Sequence, residues 1–164
     1  MKKNDVLRRL RYTFDFGDDK MIALFALGGV VVSREQVSNW LKKDDMPDFA
    51  PLNDKHCAYF LNGLIIDFRG AREETPPSPE SKLTNNMVLM KLKIALNLKA
   101  EDVLALLELA NLRLSKHELS AFFRRKDHKQ YRECLDQVLR NFLQGLQLKH
   151  HVDTQGKAFD WGVH

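Results

Sequence analysis

The residues whose types and spacing could do chemistry are concentrated near position 131. Tyr131, Arg132 and Asp136 bring together a phenol, a cation and a carboxylate. Asp54 occupies the position that matches Asp136 when the two halves of the chain are compared. On a helix, such residues form ordinary ion pairs along one face. The alternative is a polar site at the junction of the two halves, in which these four side chains would serve an enzyme.

A second candidate site is a group of cations in the second half of the chain. Residues 1–82 hold 13 basic and 13 acidic residues, whereas residues 83–164 hold 13 and 9, so the net charge of +4 lies in the second half. A basic face on the third and fourth helices there would bind phosphate groups by releasing counterions. A solvated, ion-paired face is the alternative. The members of the group are Lys116, Arg124, Arg125, Lys126, His128, Lys129 and Arg132.

The sequence lacks the common motifs for metals and cofactors. It has no Cys-x-x-Cys, no His pair spaced by four, no Gly-rich phosphate loop and no catalytic serine motif. Cys57 and Cys134 are too few for a disulfide framework, and we predict that each is a small buried or half-buried residue and not a nucleophile. We therefore expect no metal and no cofactor, assign no catalytic residue, and favour a binding protein over an enzyme.

The chain is a tandem repeat. Compared with itself at a shift of 82 residues, it gives 15 identities over the 63 pairs from Asn4 to Ile66, without a gap. Ordinary residue frequencies give about 4 by chance. Asn4 falls on Asn86, and Gly63 falls on Gly145. The repeat predicts two copies of one small fold.

Each copy reads as four helices. Apolar residues recur at helical spacing in the last segment of each copy. The third helix of each copy begins with a capping box, formed by Ser33 with Gln36 and by Ser115 with Glu118. The predicted inward residues of the last helices are Cys57, Phe60, Leu61, Leu64, Ile65 and Phe68 in copy one, and Leu135, Val138, Leu139, Phe142, Leu143 and Leu146 in copy two.

Glycine and proline positions refine these helices. Gly63 and Gly145 lie in mid-helix, where glycine costs about 1 kcal/mol relative to alanine, so we predict a close approach of another helix there. The pair Gly28-Gly29 is predicted to end the second helix. Pro47 and Pro51 precede the last helix of copy one only, which predicts that the last helix of copy two begins about a turn earlier.

The segments outside the copies differ in composition. We assign 1–69 to the first repeat, 70–84 to a Pro/Glu-rich linker, 85–151 to the second repeat and 152–164 to a flexible tail. Phe159 and Trp161 are predicted to dock on the chain's own surface, with a partner-binding peptide as the alternative. No apolar run approaches the about 18 residues of a membrane span. We expect a cytoplasmic protein without membrane contact.

A helix-turn-helix is a minority interpretation of the second and third helices. The connection from Gly28 to Val32 is longer than the turn of 3–4 residues that the motif uses. Asp44, Asp45 and Asp48 follow the candidate recognition helix and would repel phosphate. Sequence-specific DNA binding is therefore not our main hypothesis.

Several strings resemble the YehS-like family of small bacterial proteins, which carry two copies of a domain of unknown function. These strings are SKHELSAFFR at 115–124, HKQYREC at 128–134, FLQGL at 142–146 and FLNGLI at 60–65. The resemblance covers about residues 1–151. It implies a bacterial origin and a two-copy organisation, and it brings no established activity, so it assigns no site residue.

Together these observations predict an all-α protein in which two tandem four-helix units pack as a pseudo-symmetric pair. The favoured function is a non-enzymatic interaction module that binds a protein or a nucleic acid through the basic face of the second repeat. The alternative is an enzyme with a polar site at the junction of the repeats.

Overall fold

The computed structural model describes residues 1–70 and 78–154, with side chains described up to His151. These residues form helices and connecting loops, with no strand among them, which confirms the predicted all-α class. In chain order the helices are α1 (Lys3–Phe14), α2 (Asp18–Gly28), α3 (Arg34–Leu41), α4 (Asp54–Arg69), α5 (Asn85–Ala95), α6 (Ala100–Leu109), α7 (Lys116–Ala121) and α8 (Asp136–Thr154).

The chain divides into two compact units between Leu83 and Thr84, with four helices in each. The two-copy organisation is confirmed. Most of the predicted linker, at 71–77, and the tail from 155 onward, with Phe159 and Trp161, lie outside the described residues. Helix α8 continues to Thr154, and so runs into the segment predicted as tail. Among the described helices, none combines the length and apolar character that crossing a bilayer requires.

The second and fourth helices of each unit approach closely at a glycine. A Cβ atom on Gly63 would lie 1.7 Å from the carbonyl oxygen of Leu24, and one on Gly145 would lie 2.0 Å from that of Leu106. Leu24 and Leu106 are themselves equivalent positions. Any side chain would collide with backbone there, so the predicted close helix approach is confirmed in both units.

Helix ends also correspond between the units. The capping boxes at Ser33 and Ser115 are both present, as predicted. Helix α2 ends at Gly28, and Gly29 follows with a φ of 113°. Its counterpart Asn111 has a φ of 66°. Because asparagine tolerates the left-handed region better than other side chains, the second unit makes this turn without glycine.

Of the twelve residues predicted to face inward, eight are buried, three are half-buried and one is exposed. Phe60, Leu61, Phe142 and Leu143 are buried, while Leu135 is 64% exposed. Leu135 is exposed because the predicted start of the last helix in the second unit was wrong. Helix α8 begins at Asp136, the position equivalent to the start of α4 at Asp54, and not a turn earlier. Leu135 therefore lies before the helix and not on its inner face.

Candidate partner-binding surface

A buried asparagine in the first helix of each unit holds the loop that leads into the last helix. In the first unit, Asn4 is 1% exposed. Its Nδ2 donates to the carbonyl oxygens of Trp40 at 2.8 Å and Ala50 at 3.0 Å. Its Oδ1 accepts from the backbone N–H of Leu52 at 2.9 Å. One side chain thus fixes both ends of the loop between α3 and α4.

The second unit repeats this arrangement atom for atom. Asn86 Nδ2 donates to the carbonyl oxygens of Phe122 at 3.1 Å and Arg132 at 2.8 Å. Its Oδ1 accepts from the N–H of Cys134 at 2.9 Å. Each partner lies 82 residues after its counterpart in the first unit. These bonds hold the stretch from Arg132 to Cys134 against α5 in a non-helical path, and α8 starts after it, at Asp136.

We call residues 42–52 the acidic loop and residues 124–134 the basic loop. Ala50 N–H donates to the Asn39 carbonyl at 3.1 Å, and at the equivalent place Arg132 N–H donates to the Ala121 carbonyl at 3.1 Å. The acidic loop carries two basic and three acidic residues, whereas the basic loop carries five basic and two acidic residues. The two loops therefore share these hydrogen bonds but carry opposite net charge, although their backbones differ at Asp48, which has a φ of 66°, whereas its equivalent Gln130 has no positive φ.

Six of the seven predicted binding cations lie on the basic loop, and all six are exposed. The prediction that they lie on the third and fourth helices is wrong, because α7 ends at Ala121 and the bonds from Asn86 hold the following residues in a loop. The six residues are Arg124, Arg125, Lys126, His128, Lys129 and Arg132.

Lys116, the seventh predicted cation, stands apart from the loop. It is the first residue of α7, and its Nζ lies 3.0 Å from Glu101 Oε1. This hydrogen bond is the main reason that the pKa of Glu101 is lowered. The equivalent pair in the first unit is Arg34 with Asp19, whose hydrogen bond raises the pKa of Arg34. Lys116 thus takes part in an exposed ion pair that both units share.

Some loop cations have partners within the loop. Arg125 lies 3.3 Å from Asp127, and Arg132 Nη1 donates to the Tyr131 carbonyl at 3.1 Å. The three other long basic side chains of the loop have no such partner within it. Within residues 1–70 and 78–151, no carboxylate lies within ion-pair distance of Arg124, Lys126 or Lys129. These three exposed cations are available to a phosphate or carboxylate from outside.

Aromatic rings at the edge of the loop are partly covered. Tyr131 is half-buried. Phe123 is half-buried as well, and Lys93 from α5 places its ammonium 5.5 Å from the centre of the Phe123 ring. Such a contact holds a cation beside the loop. The positive surface therefore extends from the basic loop toward α5.

Each aspartate of the predicted polar site makes a hydrogen bond within its own unit. Asp54 Oδ2 accepts from the Leu83 N–H at 2.7 Å, and Asp136 Oδ1 accepts from Asn85 Nδ2 at 2.7 Å. Each aspartate is the first residue of its helix, α4 or α8, so these bonds fix the starts of the two last helices. The interpretation of Tyr131 and Arg132 as part of a helical face of ion pairs is wrong, because residues 128–133 are not helical. A polar site that joins Tyr131, Arg132, Asp136 and Asp54 stays a prediction.

The cysteines and the metal-binding residue types add no reactive centre to this surface. Cys57 and Cys134 are buried, as predicted. Burial raises the pKa of the Cys134 thiol to about 12. In the part of the chain that the structure describes, no three His, Cys, Asp or Glu side chains gather closely enough to hold a metal ion.

Sequence reasoning missed the two asparagines. Their signal was available, since Asn4 and Asn86 are identical polar residues at matching places on the apolar face of a helix. Buried polar groups are nearly always hydrogen-bonded, so such a pair indicates a shared structural bond. The identity of the bonded backbone groups, 36 to 48 residues away, required the structure.

Comparisons with known proteins agree with the two-copy organisation. A family described as "Protein of unknown function (DUF1456)" matches residues 3–70 and again 85–151. The chain is also 43% identical over 153 residues to a protein of Escherichia coli (strain K12) called "Uncharacterized protein YehS", which covers 93% of this chain and 98% of that protein. No solved structure matches the chain.

Proposed function

The chain belongs to the DUF1456 family, as its resemblance to the YehS-like proteins predicted, and on that premise we propose that it is an interaction module that binds nucleic acid through its basic loop. One observation carries this proposal. An asparagine holds the equivalent loop of each unit through the same three hydrogen bonds, and only the second unit's loop carries a net positive charge.

The chemistry of the loop suits a partner with regularly repeated phosphates. Arg124, Lys126 and Lys129 lie within six consecutive positions, and all three are exposed without a carboxylate partner among the described residues. Each cation that neutralises a phosphate releases a counterion, which favours binding at low salt. A strand of nucleic acid offers several phosphates to such a cluster, whereas a single small anion offers one. An acidic protein is the competing partner.

The acidic loop supports the assignment by contrast. Asp44, Asp45 and Asp48 stand on the first unit's loop, where they would repel a phosphate strand. Asp44 takes the place of Lys126, while Asp48 takes the place of Gln130. The proposal therefore assigns phosphate binding to one of the two copies and gives the other no part in it.

The test compares two variants of equal net charge. The loop-neutral variant is Arg124→Gln/Lys126→Gln/Lys129→Gln. The first-unit control is Lys43→Gln/Lys55→Gln/Arg69→Gln, which removes three exposed cations from the other unit. Binding to labelled single-stranded and duplex oligonucleotides is measured by fluorescence anisotropy at about 50 mM salt.

We expect the loop-neutral variant to raise Kd about tenfold or more, and the first-unit control to change it by less than about twofold. Equal losses in the two variants would mean that only net charge matters, which contradicts the proposal. If the wild-type chain binds neither oligonucleotide but binds polyglutamate more tightly than the loop-neutral variant does, the partner is an acidic protein instead.

A further inference from the structure

We infer that Asn86 is a positioning residue for partner binding, which acts by holding the basic loop in its binding shape. This inference rests on the proposed function. Asn86 is 7% exposed, so its amide faces the interior and acts on a partner only through the loop. Its three hydrogen bonds reach Phe122 before the loop and Arg132 and Cys134 at its end.

Both the Nδ2 and the Oδ1 of the Asn86 amide bond to the backbone at the ends of the basic loop. Both carbonyl partners accept from Nδ2, and the N–H partner donates to Oδ1, so no smaller or purely acidic side chain reproduces the set. Without these bonds, the stretch that carries Arg124, Lys126 and Lys129 would keep only two ties near its end, from the Arg132 N–H to the Ala121 carbonyl and from Asn85 Nδ2 to the Cys134 carbonyl. Ordering it on binding would then cost conformational entropy, which weakens affinity without removing any charge.

The first unit provides a matched control inside the same chain. Asn4 makes the same three bonds, to Trp40, Ala50 and Leu52, but holds the acidic loop. Asn4→Asp and Asn86→Asp remove the same two donors from equivalent places. A loss of stability spread over both units predicts equal effects on binding, whereas a positioning role predicts an effect of Asn86→Asp alone while circular dichroism shows that the second unit stays folded.

Cys134 offers a local probe of the held loop. Its N–H bonds to Asn86 Oδ1, and its side chain is 1% exposed. A thiol reagent reaches it when the end of the loop opens. Peptide mass spectrometry separates its labelling from that of Cys57, which is buried in α4. The labelling rate thus reports loop opening without any partner present.

The experiment measures Cys134 labelling and oligonucleotide affinity in the same full-length variants. Asn86→Asp should speed Cys134 labelling about tenfold or more and raise Kd about tenfold, while Asn4→Asp changes both by less than about twofold. In the loop-neutral background, Asn86→Asp should cost little further affinity, because the cations through which it acts are gone. Asn86→Ser and Asn4→Ser, which keep one hydroxyl donor and add no charge beside the loops, are measured in parallel, and they replace the aspartate variants if Asn86→Asp fails to fold by circular dichroism.

Three results would overturn the inference. Cys134 labelling that is equal in the Asn86 and Asn4 variants would show that the amide does not hold the loop. Equal affinity losses in the two variants, or an undiminished loss in the loop-neutral background, would show that Asn86 acts through general stability. A wild-type chain that binds no oligonucleotide overturns the proposed function instead, and the labelling comparison then decides by itself whether Asn86 holds the loop.

Discussion

Lys126 occupies in the second unit the place that Asp44 occupies in the first, on loops with corresponding backbone hydrogen bonds. His128 N–H donates to the Arg125 carbonyl at 2.9 Å, and Met46 N–H donates to the Lys43 carbonyl at 3.0 Å. The charge at this place is thus reversed while the backbone hydrogen bond around it is kept. Loop shape and loop charge are separate variables in this fold, and each can be changed by substitution.

Grafting the basic side chains onto the first unit should create a second binding loop. We expect Asp44→Lys/Pro47→Lys, made in the loop-neutral background, to restore a large part of the lost oligonucleotide affinity, about tenfold. Anisotropy measures the gain. The control Leu27→Lys/Glu35→Lys adds the same charge to exposed helix positions and should restore much less. Equal recovery would show that loop shape contributes nothing.

The close approach of α6 and α8 leaves no room for a side chain at Gly145. Gly145→Ala should destabilise the second unit by about 2 kcal/mol, because the added carbon meets the Leu106 carbonyl oxygen and the backbone must move. Urea unfolding measures this change. Gly17→Ala is the control, since nothing lies within 4 Å of a Cβ at Gly17. If Gly145→Ala left the free energy of unfolding unchanged, the two helices would have to move apart at little cost.

The capping box of α7 should give the second unit a sensitivity to acid. The Ser115 N–H donates to Glu118 Oε1 at 2.9 Å, and this bond holds the pKa of Glu118 below its ordinary value. The unfolded chain then binds the proton more readily, so the stabilisation is present above the ordinary glutamate pKa of about 4.3 and is lost as pH falls through the folded value.

Glu118→Gln should remove that acid sensitivity and keep the cap, because Gln36 accepts the corresponding bond from Ser33 at 2.8 Å. Urea midpoints between about pH 7 and pH 3 measure the difference. Gln36→Glu is the reciprocal variant and should introduce the same sensitivity into the first unit. Identical pH profiles for wild type and Glu118→Gln would contradict the assignment.

Cys134 should behave as an inert thiol in the folded protein. Burial raises its pKa to about 12, so at pH 8 the reactive thiolate is scarce and covered. We expect slow modification by iodoacetamide under native conditions and rapid modification in urea. Rapid native labelling would show that the basic loop opens freely and is not held in one shape.

The sequence was most informative where local pattern decides the structure. The apolar spacing of the last segments, the serine caps and the mid-helix glycines at Gly63 and Gly145 each predicted a feature that the structure contains. These features depend on residues within one or two helical turns, or on a steric demand that only glycine meets. The repeat strengthened each of them, because it gave two independent instances.

The basic loop was misread because a distant residue decides its shape. From His128 onward the spacing of charged residues suits a helix, and the second copy lacks the prolines that interrupt the first. The bonds from Asn86 to Arg132 and Cys134 override that local preference. A hydrogen bond across 46 or 48 residues leaves no periodic trace, so local pattern alone cannot reveal it.

The dependence of oligonucleotide affinity on salt tests the central claim most directly. The slope of log Kd against log salt rises by about 0.7 for each phosphate contact of a single strand and by about 0.9 for duplex DNA. For the loop-neutral variant we predict a slope lower than that of wild type by about 2 to 3. The first-unit control should keep the wild-type slope. Equal slopes in the loop-neutral variant and wild type would contradict the assignment of phosphate binding to the basic loop.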